Sequence, residues 1–228
     1  MNSAWTLTVT GRAFEFAAPI VEPEHLYSEI AHGLAQLNRY AGQTSLPYPV
    51  AQHSVLMAEA CEDETGDPTL AAWCLLHDGH ETYLGETPNP ATEAVEAELA
   101  TAAAEKGVPD LIVEATIARW RTLRRRVEER IDAEIYGAAG LPPIDDRGRA
   151  IVQSYDMRAV KTERRDLLAP SPRRWAEAIE QAPPLKLRRG RIRPWPVGQA
   201  NERFILALDR LCPTAAERAG RILEGDAA

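Results

Sequence analysis

Gly66-Asp-Pro-Thr-Leu-Ala-Ala-Trp-Cys-Leu-Leu-His-Asp-Gly-His-Glu-Thr-Tyr-Leu-Gly85 is the stretch on which the reading of this chain turns. Gly66-Asp67-Pro68 marks a helix start, with Asp67 able to cap free backbone N–H groups and Pro68 at the first helical position. The spacing predicts one helix running to Leu84 and stopping at Gly85, after which Pro88-Asn89-Pro90 enforces a loop. Trp73, His77, His80, Glu81 and Leu84 then share a face. Trp73 and Leu84 are large and apolar, so this face is expected to be buried. A buried imidazole at His77 and the carboxylate of Asp78 beside it need strong partners. A metal ion satisfies both.

The same argument recurs twice along the chain. His53 sits in a helix predicted over about 50–61, with Val50 three residues before it and Met57 four after. Asp156 sits in a helix expected to start after Asp145-Asp146 and reach Leu168, flanked by Val152, Ala159 and Val160. A carboxylate on an apolar face is costly unless it is paired or binds metal. A salt bridge to a buried Arg39 or Arg158 is the plainer alternative at each site taken singly. Two His and two Asp on separate apolar faces together favour a mixed nitrogen and oxygen site for one divalent cation, with His53, His77, Asp78 and Asp156 as ligands. Such ligation admits Mn, Co, Fe, Zn or Ni, and Mg less readily. His80 reads as a supporting partner or a packed side chain, His32 as structural, and His25 as an exposed residue at a helix start.

The rest of the chain is also predominantly helical. The one strand signal lies in residues 1–20, where Trp5–Thr10 alternates and Phe14-Glu-Phe16 follows Gly11-Arg12, predicting a short strand or hairpin. Leu26, Ile30, Leu34 and Leu37 define the next helical face. Residues 92–139 read as one or two long helices broken near Gly107-Val-Pro109. After Leu168 come a short helix around Trp175, a basic stretch over Lys186–Arg193, and helices over Ala200–Leu211 and Ala215–Leu223. The expected fold is all-α, a helical bundle with a short N-terminal β-hairpin or strand, in one domain over residues 1–228.

Hydrophobic residues make up 45% and charged residues 26% of the 228 positions, with a net charge of −8. That charge disfavours a general nucleic-acid binder, which works by neutralising phosphates with Lys and Arg. It leaves room for a small anionic substrate held by a local cationic cluster. The arginines at 121–130 and 188–193 therefore read as solvated or ion-paired faces. The longest tight apolar runs, Ala71–Leu76 and Phe204–Leu208, fall far short of the roughly 20 residues of a membrane span. Cys61, Cys74 and Cys212 form no CxxC and read as reduced core thiols. With no secretory signal in view, a cytoplasmic location is expected, and a homodimer is the default assembly.

His53, then His77-Asp78, then a distant Asp156 resembles the H…HD…D signature of the HD phosphohydrolase superfamily. Ile30-Ala-His-Gly-Leu34, Arg39-Tyr-Ala-Gly-Gln-Thr44, Val50-Ala-Gln-His-Ser54, Glu81-Thr-Tyr-Leu-Gly85 and Thr162-Glu-Arg-Arg-Asp-Leu167 extend the likeness over nearly the whole chain. The string is similar to bacterial and phage HD-domain hydrolases related to the YfbR-like 5′-deoxynucleotidases. The resemblance implies an HD-type helical core with one catalytic divalent ion. It also implies catalytic assistance from Glu81 and from Glu86, which replaces the family's Asp in a Gly-Asp-x-Pro turn. Arg39 corresponds to the arginine that holds phosphate or sugar, and Tyr40 to an aromatic, usually tryptophan, that favours deoxyribose. Lys161 is a further substrate-binding candidate because it is near Asp156 in sequence, although it lies about 140° around the helix. Residues 91–124 fit the family less well and read as a helical enlargement, and 170–228 as a C-terminal extension.

The function so implied is metal-dependent release of phosphate from (deoxy)nucleoside 5′-monophosphates. The alternatives are a triphosphohydrolase, of the type that acts on dATP, using the same metal site, and a non-catalytic HD module that binds metal or nucleotide.

Overall fold

The computed structural model describes residues 4–221. A two-stranded antiparallel hairpin, β1 (Trp5–Leu7) and β2 (Ala13–Glu15), opens the chain. Next come α1 (Pro23–His25), a π-helical turn (Leu26–Ile30) and α2 (Ala31–Gln36). A 3-10 turn (Arg39–Gly42) leads to α3 (Val50–Thr65), α4 (Pro68–Leu76) and α5 (Glu81–Leu84). The long pair α6 (Asn89–Glu105) and α7 (Asp110–Ala138) precedes α8 (Asp146–Leu167), and α9 (Glu177–Gln181), α10 (Val197–Leu211) and α11 (Pro213–Arg218) complete the bundle. The all-α architecture with an N-terminal hairpin is as expected. The last helix, expected over Ala215–Leu223, instead ends at Arg218, while Leu223 itself lies outside the described residues.

The α3–α4 corner follows from its sequence. Asp67 Oδ1 accepts from the N–H groups of Thr69 and Leu70 at 2.9 and 3.2 Å, which starts α4 beside the end of α3. These two helices pack on each other and on α8 and α10. The core between them is apolar: Met57, Leu75, Leu76, Phe204 and Leu208 are completely buried.

Two local expectations need correction. The helix predicted to run to Leu84 stops at Leu76 and restarts at Glu81, with a tight turn over residues 77–80 closed by bonds such as Gly79 N–H to Leu76 O at 2.9 Å. Gly79 makes the turn possible, because a Cβ there would lie 2.9 Å from Ile135 Cδ1 on α7. The break rotates α5 out of register, so Leu84 is 40% exposed rather than buried. The second correction is at residues 26–30, where the expected plain helix widens into a π turn.

The enlargement at 91–124 is a helical hairpin in which α6 packs chiefly on α7. Within it Arg121 pairs with Glu96 and Arg124 with Glu128. In the basic stretch, Arg188 meets Asp63 at 2.6 Å. The three cysteines are free and buried. Among the described residues no helix is long and apolar enough to cross a membrane.

Candidate metal centre

Three separate elements bring His53, His77 and Asp156 together. His53 comes from the second turn of α3 and is completely buried, His77 opens the turn after α4, and Asp156 comes from the middle of α8. One ligand atom from each lies within 4.8 Å of the other two. His53 Nε2 is 3.4 Å from His77 Nε2 and 3.4 Å from Asp156 Oδ1. Asp78 stands outside that three-residue group, yet its Oδ2 is 3.1 Å from His77 Nε2 and 3.7 Å from His53 Nε2.

The remaining ring nitrogens show what faces the centre. His77 Nδ1 is 2.9 Å from the Cys74 carbonyl, which can only accept, so Nδ1 carries the hydrogen. His53 Nδ1 is 2.6 Å from the carboxylate of Glu163 and is the donor by the same reasoning. In their neutral forms both rings therefore aim an Nε2 lone pair at the same point. Two lone pairs converging beside two carboxylates need a positive charge between them. Asp156 Oδ1 is also buried without a hydrogen bond. These features fit a divalent cation, with His53, His77 and Asp156 as holders and Asp78 alongside. Without one, burial opposes a charge on His77, but the neighbouring Asp78 outweighs it and pushes the imidazolium up to about 9.

Arg39 supplies positive charge from the other side. Its Nη1 is 3.3 Å from Asp78 Oδ2, its Nη2 3.5 Å from Asp156 Oδ1 and its Nε 3.3 Å from Glu163 Oε2. The salt-bridge alternative for Asp156 thus has its partner in Arg39. Arg158 instead binds Glu64 on α3 at 2.7 Å.

The other site candidates divide. Glu81 lies within electrostatic reach of Asp78 with a buried oxygen that has no partner; burial, then Asp78, push its carboxyl up to about 8. The Tyr40 hydroxyl donates to Glu163 at 2.6 Å. Glu86 accepts from the N–H groups of Tyr40 and Ala41 at 3.3 Å each. Those two residues have φ of 59° and 48°, a left-handed conformation costly for residues with a Cβ, and Glu86 clamps it. In this geometry Glu86 holds a turn rather than facing the cluster. Lys161 is engaged on another side of α8. Its Nζ donates to the Glu180 carbonyl at 2.7 Å and lies 3.5 Å from that residue's carboxylate. Its place around α8 turns it toward α9.

Two residues went unassigned in the sequence. Glu163 lies seven positions after Asp156, two helical turns along the same face, and that spacing was the available signal. Asp132 on α7 pairs with His80 Nδ1 at 2.9 Å, giving His80 a supporting partner. Burial disfavours charge on His80, but the hydrogen bond and charge of Asp132 prevail and push it up to about 9.

No family model matches the chain. It is 30% identical over 160 residues to the Escherichia coli (strain K12) protein named "Uncharacterized protein YfdR", covering 70% of each chain. It is 34% identical over 100 residues to the Rhodobacter capsulatus "Uncharacterized protein RCAP_rcc00048", covering 42% of this chain and 50% of that one. At that identity and coverage, the chain belongs to the same family as YfdR.

Proposed function

We propose that the chain is a metal-dependent phosphohydrolase of the HD type acting on nucleotides, with (deoxy)nucleoside 5′-monophosphates as the leading substrate class. The observation that carries this reading is the convergence of two imidazole Nε2 atoms and two carboxylates beside the Arg39 guanidinium. A divalent ion held by His53, His77, Asp156 and Asp78 supplies Lewis-acid polarisation of a phosphoryl oxygen and makes water a better nucleophile. Arg39 offers its planar fork to the phosphate, a geometry a lysine does not copy. Glu81, whose carboxyl burial and Asp78 raise to about 8 in the metal-free protein, is the candidate to relay a proton to the leaving oxygen or from the attacking water. Tyr40, its ring beside Arg39, is the candidate to pack against a sugar attached to that phosphate. The monophosphate preference itself rests on the family resemblance.

A hydrolysis screen tests the proposal. Metal-stripped protein is incubated with ribo- and deoxynucleoside mono- and triphosphates and Mn²⁺ or Co²⁺, with Asp78→Ala and Asp156→Ala as controls. Nucleoside and phosphate from monophosphates, absent in both controls, is the expected result. Release of triphosphate replaces the substrate class. Stoichiometric metal binding with no turnover sinks the enzymatic reading in favour of a binding module.

A further inference from the structure

Glu163 is a completely buried carboxylate, and every group around it is a donor. Oε1 takes His53 Nδ1 at 2.6 Å and the Tyr48 hydroxyl at 3.0 Å. Oε2 takes the Tyr40 hydroxyl at 2.6 Å and Arg39 Nε at 3.3 Å. One oxygen therefore serves the candidate metal ligand and the other serves the cationic arm. A buried carboxylate without such partners is heavily penalised, so the arrangement is self-consistent only with all four groups in place.

We infer that Glu163 is the positioning residue of the centre: it fixes His53 as the Nδ1–H tautomer with Nε2 turned to the metal, and it tethers Arg39 where an anion on that metal would meet it. The inference rests on the metal-site reading above. Two consequences follow from the chemistry of the carboxylate. A ring whose Nδ1–H is held by an acceptor has a bare Nε2, and a negatively charged acceptor makes that nitrogen a better ligand. The guanidinium has its Nε occupied, so it keeps its two terminal nitrogens beside Asp78 and Asp156.

Glu163→Gln separates these effects from packing, because the side chain keeps its size. An amide presents one acceptor and one donor where the site offers only donors. With its NH₂ toward His53, it forces the hydrogen onto Nε2 and removes the metal ligand. With its NH₂ toward Arg39, it releases the arm. Wild-type protein and the variant are titrated with Co²⁺, read by visible absorption, and the Co²⁺-loaded proteins are then titrated with inorganic phosphate. The variant is expected to bind Co²⁺ about 10–100-fold more weakly, or to keep Co²⁺ and lose phosphate affinity by a comparable factor. Unchanged affinity for both overturns the inference. Histidine ¹⁵N spectra of Zn²⁺-loaded wild type decide the matter if the variant does not fold. Zn²⁺ at His53 Nε2 with the Nδ1 hydrogen retained supports the inference, and Zn²⁺ at His53 Nδ1 overturns it while leaving the metal site standing. Wild type that binds neither metal overturns the metal reading itself, and this inference with it.

Discussion

Glu29→Gln is expected to lower stability by about 3 kcal/mol at neutral pH and to erase a specific acid dependence. Glu29 lies in the π turn with its side chain 1% exposed. It accepts from Thr10 Oγ1 at 2.5 Å, from Arg12 Nε and Nη2 at 3.2 and 2.6 Å, and from the Tyr83 hydroxyl at 2.9 Å. This single carboxylate ties the hairpin to the bundle, next to the Phe14–Tyr83 ring stack. Burial raises its pKa, but the donors from Arg12, Thr10, Thr8 and Tyr83 outweigh burial and bring it from the usual 4.5 to about 2. At about 1.4 kcal/mol per pH unit, that displacement is worth about 3 kcal/mol. A depressed carboxyl contributes its stability fully above its unfolded pKa and loses it as pH falls through the folded one. The wild type should therefore lose this increment between about pH 4.5 and pH 2, and Glu29→Gln should have no such component. For a chain of this size each kcal/mol moves the melting temperature by about 2–4 °C, so the variant should melt about 6–12 °C lower at pH 7. Thermal melts of both proteins from pH 7 to pH 2 make the measurement. If the two melting curves stay parallel across that range, or differ by under about 2 °C at pH 7, the carboxylate is not the tie described.

Gly148→Ala should cost about 1–3 kcal/mol, read by calorimetry, because a Cβ there would sit 2.7 Å from Trp73 Cζ3 and wedge α8 away from α4. Gln52→Ala removes a side chain that bonds the Arg193 carbonyl at 2.8 Å and the Trp195 N–H at 2.7 Å. Leaving those two backbone groups without partners should cost about 1–3 kcal/mol, seen as a lower urea midpoint. His80→Asn should destabilise at neutral pH. Because Asp132 raises His80 to about 9, that contribution is present below about 6.5 and lost as pH rises through 9, so the melting gap to wild type should close at alkaline pH.

His53, His77 and Asp156 were legible because each is a polar group at an apolar helical position; burial cost marks His53, which is completely buried, while the Asp156 side chain is 38% exposed with one oxygen turned inward. The corner at Gly66–Pro68 was legible because capping is local chemistry. The break at residues 77–80 was not, since its cause is Ile135 on α7, packed against Gly79 from more than 50 positions away. Nor was the π turn, because Leu26, Ile30 and Leu34 keep a spacing that a regular helix also satisfies. Lys161 was singled out for closeness in sequence, and its angular position on α8 sets its ammonium against Glu180. Glu163 lay in a quoted stretch, yet its partners Arg39, Tyr40, Tyr48 and His53 all come from the first quarter of the chain, and only the fold joins them.

The charges of the centre separate the two readings that the sequence left open for Asp156. With both imidazoles neutral, Asp78, Asp156 and Glu163 bring three negative charges against one guanidinium, and in the metal-free protein the His77 imidazolium, raised to about 9, offsets one more. A divalent ion closes that balance with both imidazoles neutral, and an Arg39 salt bridge alone does not. If the group is built for a metal, the metal-free protein carries an excess negative charge, and Asp156 Oδ1 is buried there without a hydrogen bond. Asp156→Asn should then cost the metal-free protein little, because Asp78 and Glu163 still flank the Arg39 guanidinium. Added Co²⁺ at 100 times its dissociation constant should stabilise wild type by about 2.7 kcal/mol, or about 5–11 °C in melting temperature, and the variant hardly at all. If Asp156 is instead an ordinary partner of Arg39, removing its charge takes one of three carboxylates from a guanidinium that is only 12% exposed. The variant would then melt well below wild type before any metal is added. The size of that one difference after chelation, set beside the response to Co²⁺, decides between a site held ready for a cation and an ion pair of the fold.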